Sequence, residues 1–108
     1  MEIKQLRIGN YVDLSEGFSV HNDILTVSIK NIGWYNEFKP IPLTEEWLIK
    51  FGFEILNKNA IYNYLLLYWN IKDEEYDFVR EGKATTIKYI HQLQNLYFAL
   101  TEEELTIK

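Results

Sequence analysis

Residues 40–53, PIPLTEEWLIKFGF, carry the start and stop signals of one short helix. Thr44 is placed to act as the N-cap, since its hydroxyl can accept a hydrogen bond from an amide that has no partner within the helix. Glu45 and Glu46 follow, and their negative charges suit the positive end of the helix dipole. The stretch therefore predicts a helix that begins directly after Thr44.

The remaining signals in this stretch are apolar contacts and a glycine. Leu43 and Leu48 have the spacing of a hydrophobic staple, in which the residue before the N-cap packs on a residue one turn into the helix. Gly52 can adopt the left-handed conformation that ends many helices. Phe53 would then fold back on Leu48. We expect the helix to end just before Gly52.

The composition is that of a folded domain. The chain has 108 residues, of which 47% are hydrophobic and 25% charged, as in globular proteins. Its longest purely apolar run, 64–69, is far shorter than the ~20 residues of a spanning helix. The N-terminus lacks the pattern of a signal peptide, and the absence of cysteine excludes disulfides and thiolate sites. We predict a cytoplasmic protein with one domain, 1–108, divided into a β-rich part, 1–39, and an α+β part, 40–108.

The distribution of charge disfavours nucleic-acid binding. The formal net charge is −5 and the pI is about 5.0. A phosphate-binding surface needs clustered Lys and Arg, whereas here the basic residues are scattered and the acids cluster, at 73–77 and 102–104. Nucleic-acid binding stays open as an alternative, because an acidic protein can still carry a local basic face.

Short β-prone runs separated by turn residues fill the first 39 positions. Leu25, Val27 and Ile29 alternate with polar residues, which is the period-2 pattern of a half-buried strand. The other β-prone runs in this part are Tyr11–Leu14, 18–21 and 34–38. Together they predict a small antiparallel β meander, which could curl into an SH3-like barrel.

Strand and helix signals alternate after the first helix. The predicted strands are 53–56, 60–71, 75–79 and 84–89. Turn residues at 57–59 and 81–83 predict hairpins. The helical spacing of apolar residues over 90–100 predicts a last helix, followed by a short strand, 105–107. The chain is thus predicted to be α+β: the meander, a helix, an antiparallel sheet of about four strands, and a C-terminal helix.

Aromatic side chains make up 16% of the sequence and offer a candidate interaction surface. Tyr and Trp exposed on a surface are enriched at protein interfaces. The same rings could instead fill the core. Within the predicted strand 60–71, three tyrosines share one face, and a second cluster lies near the end of the meander. The candidate surface residues are Trp34, Tyr35, Phe38, Tyr62, Tyr64 and Tyr68.

The sequence contains no recognisable catalytic pattern. His21 is expected in a solvated turn, and His91 on the surface or partly packed, each without an identifiable partner. The glycines stand singly, so no phosphate-binding loop occurs. Carboxylate pairs fall in turns or a first helical turn, where solvated charge is the simpler reading. We therefore predict no catalytic residue, no cofactor, no bound metal and no enzymatic activity.

Three segments resemble a known group of proteins: LRIGNYV at 6–12, PIPLTEEWLIKFGF at 40–53 and KYIHQLQNLYFALTEEEL at 88–105. The resemblance is to a family of small proteins encoded by prophages and other mobile elements of Bacteroides-type bacteria. It covers about a third of the chain and implies a bacterial cytoplasmic setting and a phage-related role, with no catalytic residue. Family members often carry Gly where this chain has Glu102; if a left-handed turn is needed there, Glu would cost up to ~1 kcal/mol.

These observations favour a phage-type protein that serves as a non-enzymatic interaction or structural module, binding a protein partner or a second copy of itself. One alternative is an SH3-like or OB-like nucleic-acid binder. It would need basic residues to converge near Trp34 or Tyr35; those residues are Lys4, Arg7, Lys30 and Lys39. Another is an acidic mimic of nucleic acid that inhibits a host enzyme, which would need 73–77 and 102–104 on one face.

Overall fold

A computed structural model describes residues 5–14, 24–28 and 38–108, and the structural statements below concern these residues. The protein is α+β. In chain order its elements are β1 (Tyr11–Leu14), β2 (Ile24–Thr26), β3 (Phe38–Lys39), α1 (Glu45–Lys50), β4 (Glu54–Leu56), β5 (Asn59–Tyr62), β6 (Leu65–Asn70), β7 (Glu75–Arg80), β8 (Lys83–Ile87) and α2 (Ile90–Thr101). The predicted sequence of strands, helix, sheet and final helix is confirmed.

The elements fall into two compact units, each built from two stretches of chain. The first contains Met1–Pro42 and Tyr89–Glu104, and the second contains Leu43–Lys88 and Leu105–Lys108. The division differs from the predicted parts, 1–39 and 40–108, because α2 groups with the N-terminal strands. The side chain of Gln94 in α2 bonds to the backbone of Gly9 and of Tyr11, the first residue of β1, which explains the grouping.

The first unit contains, within its described ranges, a three-stranded antiparallel sheet of order β2–β1–β3. Backbone pairing places Val12 opposite Leu25, and Leu14 opposite Phe38. The antiparallel sheet agrees with the prediction. The order does not follow a meander, because β3 pairs with β1 and not with β2. Most of the predicted strands 18–21 and 34–38 lies outside the described residues.

Both ends of α1 are those that the sequence predicts. The hydroxyl of Thr44 accepts a hydrogen bond from the amide of Trp47 at 3.3 Å. Gly52 has a left-handed φ of +99°, and the amide of Phe53 donates to the carbonyl of Leu48 at 3.0 Å. This pattern is a Schellman ending. Trp47 and Leu48 are buried and hold the helix in the core of the second unit.

The second unit contains, in the described chain, a five-stranded antiparallel sheet in the sequential order β4 to β8. The prediction of one continuous strand over 60–71 is wrong. Asn63 and Tyr64, with φ of 49° and 72°, form a two-residue turn that places Tyr62 opposite Leu65. Such turns require left-handed backbone at both positions, so the predicted strand becomes the hairpin β5–β6.

One face of this sheet is buried. Side chains alternate between faces along each strand, and the inner face carries Ala60, Leu65, Leu67, Tyr76 and Ile87, all buried. Because a two-residue turn pairs Tyr62 with Leu65, the inner set shifts from even to odd positions between β5 and β6. The residues that share the buried face therefore differ from those expected to share a face if 60–71 were one unbroken strand.

The helix α2 ends where the sequence predicts, and Glu102 after it has a left-handed φ of 61°. The predicted terminal strand 105–107 is wrong, since these residues belong to no strand in the structure. Leu105 is instead held by burial of its side chain. Within the described ranges, no helix has the length and apolar character needed to cross a membrane.

Candidate functional site

The outer face of the five-stranded sheet exposes large apolar side chains. Leu56, Ile61, Tyr68 and Val79 are 61%, 38%, 44% and 44% exposed. Each follows or precedes an inner-face residue in its strand, so all four point outward. Exposed apolar patches of this kind often mark interaction sites.

Strand register arranges part of this surface as a row. Ile61 lies opposite Leu66, and Val79 lies opposite Ala84. We call these four residues, together with Leu56 and Tyr68, the outer apolar row. Four of its members cross the sheet from β5 to β8, and the other two lie beside them, Leu56 opposite Asn59 and Tyr68 opposite Asp77. The arrangement therefore depends on the hairpin registers.

A polar network borders the outer apolar row. One carboxylate oxygen of Asp77 accepts a hydrogen bond from the hydroxyl of Thr86 at 3.0 Å, and the other accepts one from the amide of Asn70 at 3.3 Å. Lys88 Nζ lies 4.0 Å from Glu75 Oε1. Exposed ion pairs of this length contribute little stability. The network gives one margin of the face a fixed, mainly acidic character.

A cavity of about 280 Å³ opens in the second unit beside the first residues of α1. Its walls are formed by Leu43, Thr44, Glu45, Lys58, Trp69, Glu74 and Tyr76. Trp69 and Tyr76 are paired across β6 and β7, and their rings meet edge to face with centroids 4.9 Å apart. The pairing supplies a rigid aromatic wall, because both side chains stand on neighbouring strands.

The hydroxyl of Tyr76 and the ammonium of Lys58 are the polar groups that distinguish the cavity. Tyr76 is only 5% exposed, yet its hydroxyl makes no hydrogen bond within the part of the chain that the structure describes. Burial raises the pKa of Tyr76, and the nearby carboxylate of Glu45 raises it further. The ammonium of Lys58 lies 5.9 Å from the centre of the Trp69 ring. Among the described residues, no carboxylate lies within ion-pairing distance of that ammonium.

The first unit contains a buried polar network between α2 and the segment before β1. Gln94 is fully buried; its carbonyl oxygen accepts from the amide of Tyr11 at 2.7 Å, and its amide donates to the carbonyl of Gly9 at 3.2 Å. Asn10, also fully buried, donates to the side-chain oxygen of Asn95 at 2.9 Å. The network satisfies backbone groups that would otherwise be buried without partners, and it explains why polar residues occupy the inner side of α2.

His91 is buried, contrary to the surface or partly packed position expected from the sequence. Its ring stacks on the ring of Tyr89, with the two centroids 5.9 Å apart. Burial lowers the pKa of the imidazole. Nδ1 makes no hydrogen bond within the described ranges. His21 lies outside those ranges. Among the described residues, no group of three or more His, Cys, Asp or Glu could hold a metal ion.

The predicted aromatic surface is divided by the structure. Tyr62 is half-buried on the inner face, where its ring packs 5.3 Å from that of Phe53, whereas Tyr68 is on the outer face. Tyr64 is at a turn and fully exposed. The prediction that these three tyrosines share a face is wrong, because the turn at 63–64 reverses the chain between them.

The second predicted aromatic cluster is only partly described. Phe38 is 2% exposed and belongs to the core, so its ring does not form a surface. Trp34 and Tyr35 lie outside the described residues, and their assignment to an interface stays a prediction.

The described residues provide no support for a nucleic-acid binder or for an acidic mimic of nucleic acid. The guanidinium of Arg7 is 2.9 Å from a carboxylate oxygen of Glu104 and 4.2 Å from the centre of the Phe98 ring. It is therefore engaged within the first unit, while Lys4 and Lys30 are outside the described ranges. The acidic runs 73–77 and 102–104 belong to different units.

Comparisons of the chain with protein-family models, with curated proteins and with solved structures found no match. Function is therefore argued from geometry. Sequence reasoning missed both the outer apolar row and the cavity, since each depends on pairing between strands. The signal that could have revealed them is the two-residue hairpin register, which fixes the face on which each residue lies.

Proposed function

We propose that this protein is a non-enzymatic interaction module whose outer apolar row binds a protein partner. The observation that carries the proposal is the exposure of Leu56, Ile61, Tyr68 and Val79 on one face of an ordered sheet. Apolar area left in water provides the driving force for association. The family resemblance adds a bacterial cytoplasmic setting and a phage-related role.

The dimensions of the sheet favour a weak, transient complex. Strands spaced ~4.8 Å apart with a rise of ~3.3 Å per residue give five short strands a face on the order of 400 Å². A standard interface buries about 800 Å² on each partner. The face is therefore too small for a permanent complex and suits an interaction that forms and dissociates readily.

Charge favours a partner other than a second copy of this chain. The net charge is −5, and the margin of the outer face carries Asp77 beside the pair of Glu75 and Lys88. Two copies would bring like charges together, which opposes association. The partner that fits is a protein with an apolar ridge flanked by basic residues.

Site-specific photocrosslinking tests this proposal. A photoreactive amino acid at Val79, on the outer face, should capture a partner from the native bacterium, whereas the same group at Ile71, in the loop after β6, should not. The captured protein is then purified, and its dissociation constant is measured by titration calorimetry.

The double variant Ile61→Thr/Val79→Thr supplies the decisive comparison. Threonine retains the β-branched shape that strands favour, so circular dichroism should be unchanged while affinity falls at least about tenfold. Ile71→Thr is the matched control and should bind normally. Equal affinity for all three proteins would show that the outer apolar row is not the binding surface. If light scattering revealed a dimer, the partner would be a second copy of this chain and not another protein.

A further inference from the structure

We propose that the cavity lined by Trp69, Tyr76, Glu45 and Glu74 binds an alkylammonium group, supplied either by a free amine or by a lysine side chain. The cavity opens beside the inner face of the sheet, so this proposal is independent of the outer apolar row. It assigns a ligand chemistry to groups that the fold leaves without partners.

The aromatic wall already receives a cation from the protein itself. Lys58 extends from the β4–β5 turn until its ammonium is 5.9 Å from the centre of the Trp69 ring. A cation within about 6 Å of an indole face is attracted by the ring quadrupole. The ammonium of Lys58 thus marks the position that a ligand cation would take, and Lys58 would compete with that ligand.

The polar groups of the cavity match the donors of an ammonium. An ammonium has three N–H donors and no acceptor. The hydroxyl oxygen of Tyr76 can accept one of them, because it is accessible at the cavity and makes no hydrogen bond within the described residues, although the residue as a whole is only 5% exposed. The carboxylates of Glu45 and Glu74 can accept the others, and neither forms an ion pair within the described ranges.

Charge and size set the class of ligand. Two glutamates and one lysine line the cavity, which gives its lining one excess negative charge. Glu45 and Glu46 also offset the positive end of the short α1 dipole. The volume of about 280 Å³ lies just below the range of ~300–1,000 Å³ for drug-sized ligands. A side chain or small amine therefore fits the cavity better than a nucleotide.

Nuclear magnetic resonance titration of the full chain tests the proposal. The probes are n-butylammonium, N-acetyl-lysine methylamide and, as the uncharged control, N-acetyl-norleucine methylamide. We expect saturable shifts of the Trp69 indole N–H with millimolar affinity for the charged probes only. Tighter binding of the blocked lysine would identify a protein side chain as the natural source, and tighter binding of butylammonium would identify a free amine.

Variants separate recognition from folding. Lys58→Met should strengthen amine binding, because it removes the internal competitor, whereas Lys83→Met, at the β7–β8 turn, should leave binding unchanged. Trp69→Leu should weaken binding about fivefold, and Tyr76→Phe, which keeps the packed ring, should also weaken it.

The proposal is overturned if the norleucine control binds as well as the lysine probe. It is equally overturned if neither the wild type nor Lys58→Met gives a saturable shift. The outer-face variant Ile61→Thr/Val79→Thr should bind amines normally, so failure of the interaction proposal and failure of this one are distinguishable.

Discussion

The buried His91 makes the free energy of unfolding depend on pH. Burial lowers the pKa of its imidazole in the folded protein, while the unfolded chain has the ordinary value of about 6.5. As the pH falls below 6.5, the unfolded state takes up a proton that the folded state resists. The free energy of unfolding therefore decreases with falling pH and levels off once the lowered folded pKa has been passed.

Urea unfolding at pH 7.5 and pH 5 measures this effect. Each tenfold difference in proton affinity between the two states corresponds to about 1.4 kcal/mol of stability lost at low pH. His91→Gln should lose less stability than the wild type over the same interval, because glutamine does not titrate. Identical losses would show that carboxylates alone set the pH dependence.

At the scale of an element, two hairpin turns explain what the sequence can and cannot predict. Asn57 and Lys58 form one left-handed two-residue turn, and Asn63 and Tyr64 form another. The first is recognisable because three consecutive polar residues, 57–59, interrupt the apolar pattern. The second was missed because Tyr64 is a strand former that continues the alternation of its neighbours.

Helix ends can be predicted from the local sequence, whereas the faces of the sheet cannot. Thr44 and Phe53 act on residues within a few positions of themselves, so the sequence predicts both ends of α1. Trp69 and Tyr76 meet only through the register of β6 and β7. Tyr68 was predicted on an exposed face and lies on one, whereas Phe38 was assigned to the surface and is buried. The cavity and the outer apolar row thus required pairing information that local patterns do not contain.

The strained position in the second turn yields a stability prediction. Tyr64 has a φ of 72° and a fully exposed side chain. No burial of the side chain therefore offsets the free-energy cost of its left-handed backbone. Tyr64→Gly should raise the free energy of unfolding by about 0.5–1 kcal/mol. The control Tyr68→Gly, within a strand, should lower it, since glycine weakens strand interiors. Denaturant midpoints with unchanged slopes would measure both effects.

At the scale of the whole molecule, each unit closes by joining segments that are far apart in sequence. The chain leaves the first unit after Pro42 and returns to it at Tyr89. The bonds of Gln94 to Tyr11 and Gly9 span 83 and 85 residues. Such long-range contacts form only after the entropy cost of closing a long loop has been overcome. Local helix or strand propensity does not reduce that cost. The buried Gln94 is therefore one of the side chains that hold α2 against the N-terminal segment.

Removing that side chain tests its role. Gln94→Ala removes the hydrogen bonds that this side chain makes with the amide of Tyr11 and the carbonyl of Gly9, and loss of a buried hydrogen-bond partner costs about 1–3 kcal/mol. We expect a loss of stability of that size, with faster hydrogen exchange at the amide of Tyr11. Gln5→Ala, at an exposed position of the same unit, should change stability by less than about 0.5 kcal/mol. If Gln94→Ala changed stability as little as Gln5→Ala, the hydrogen bonds of Gln94 would not be needed to hold α2 against the N-terminal segment.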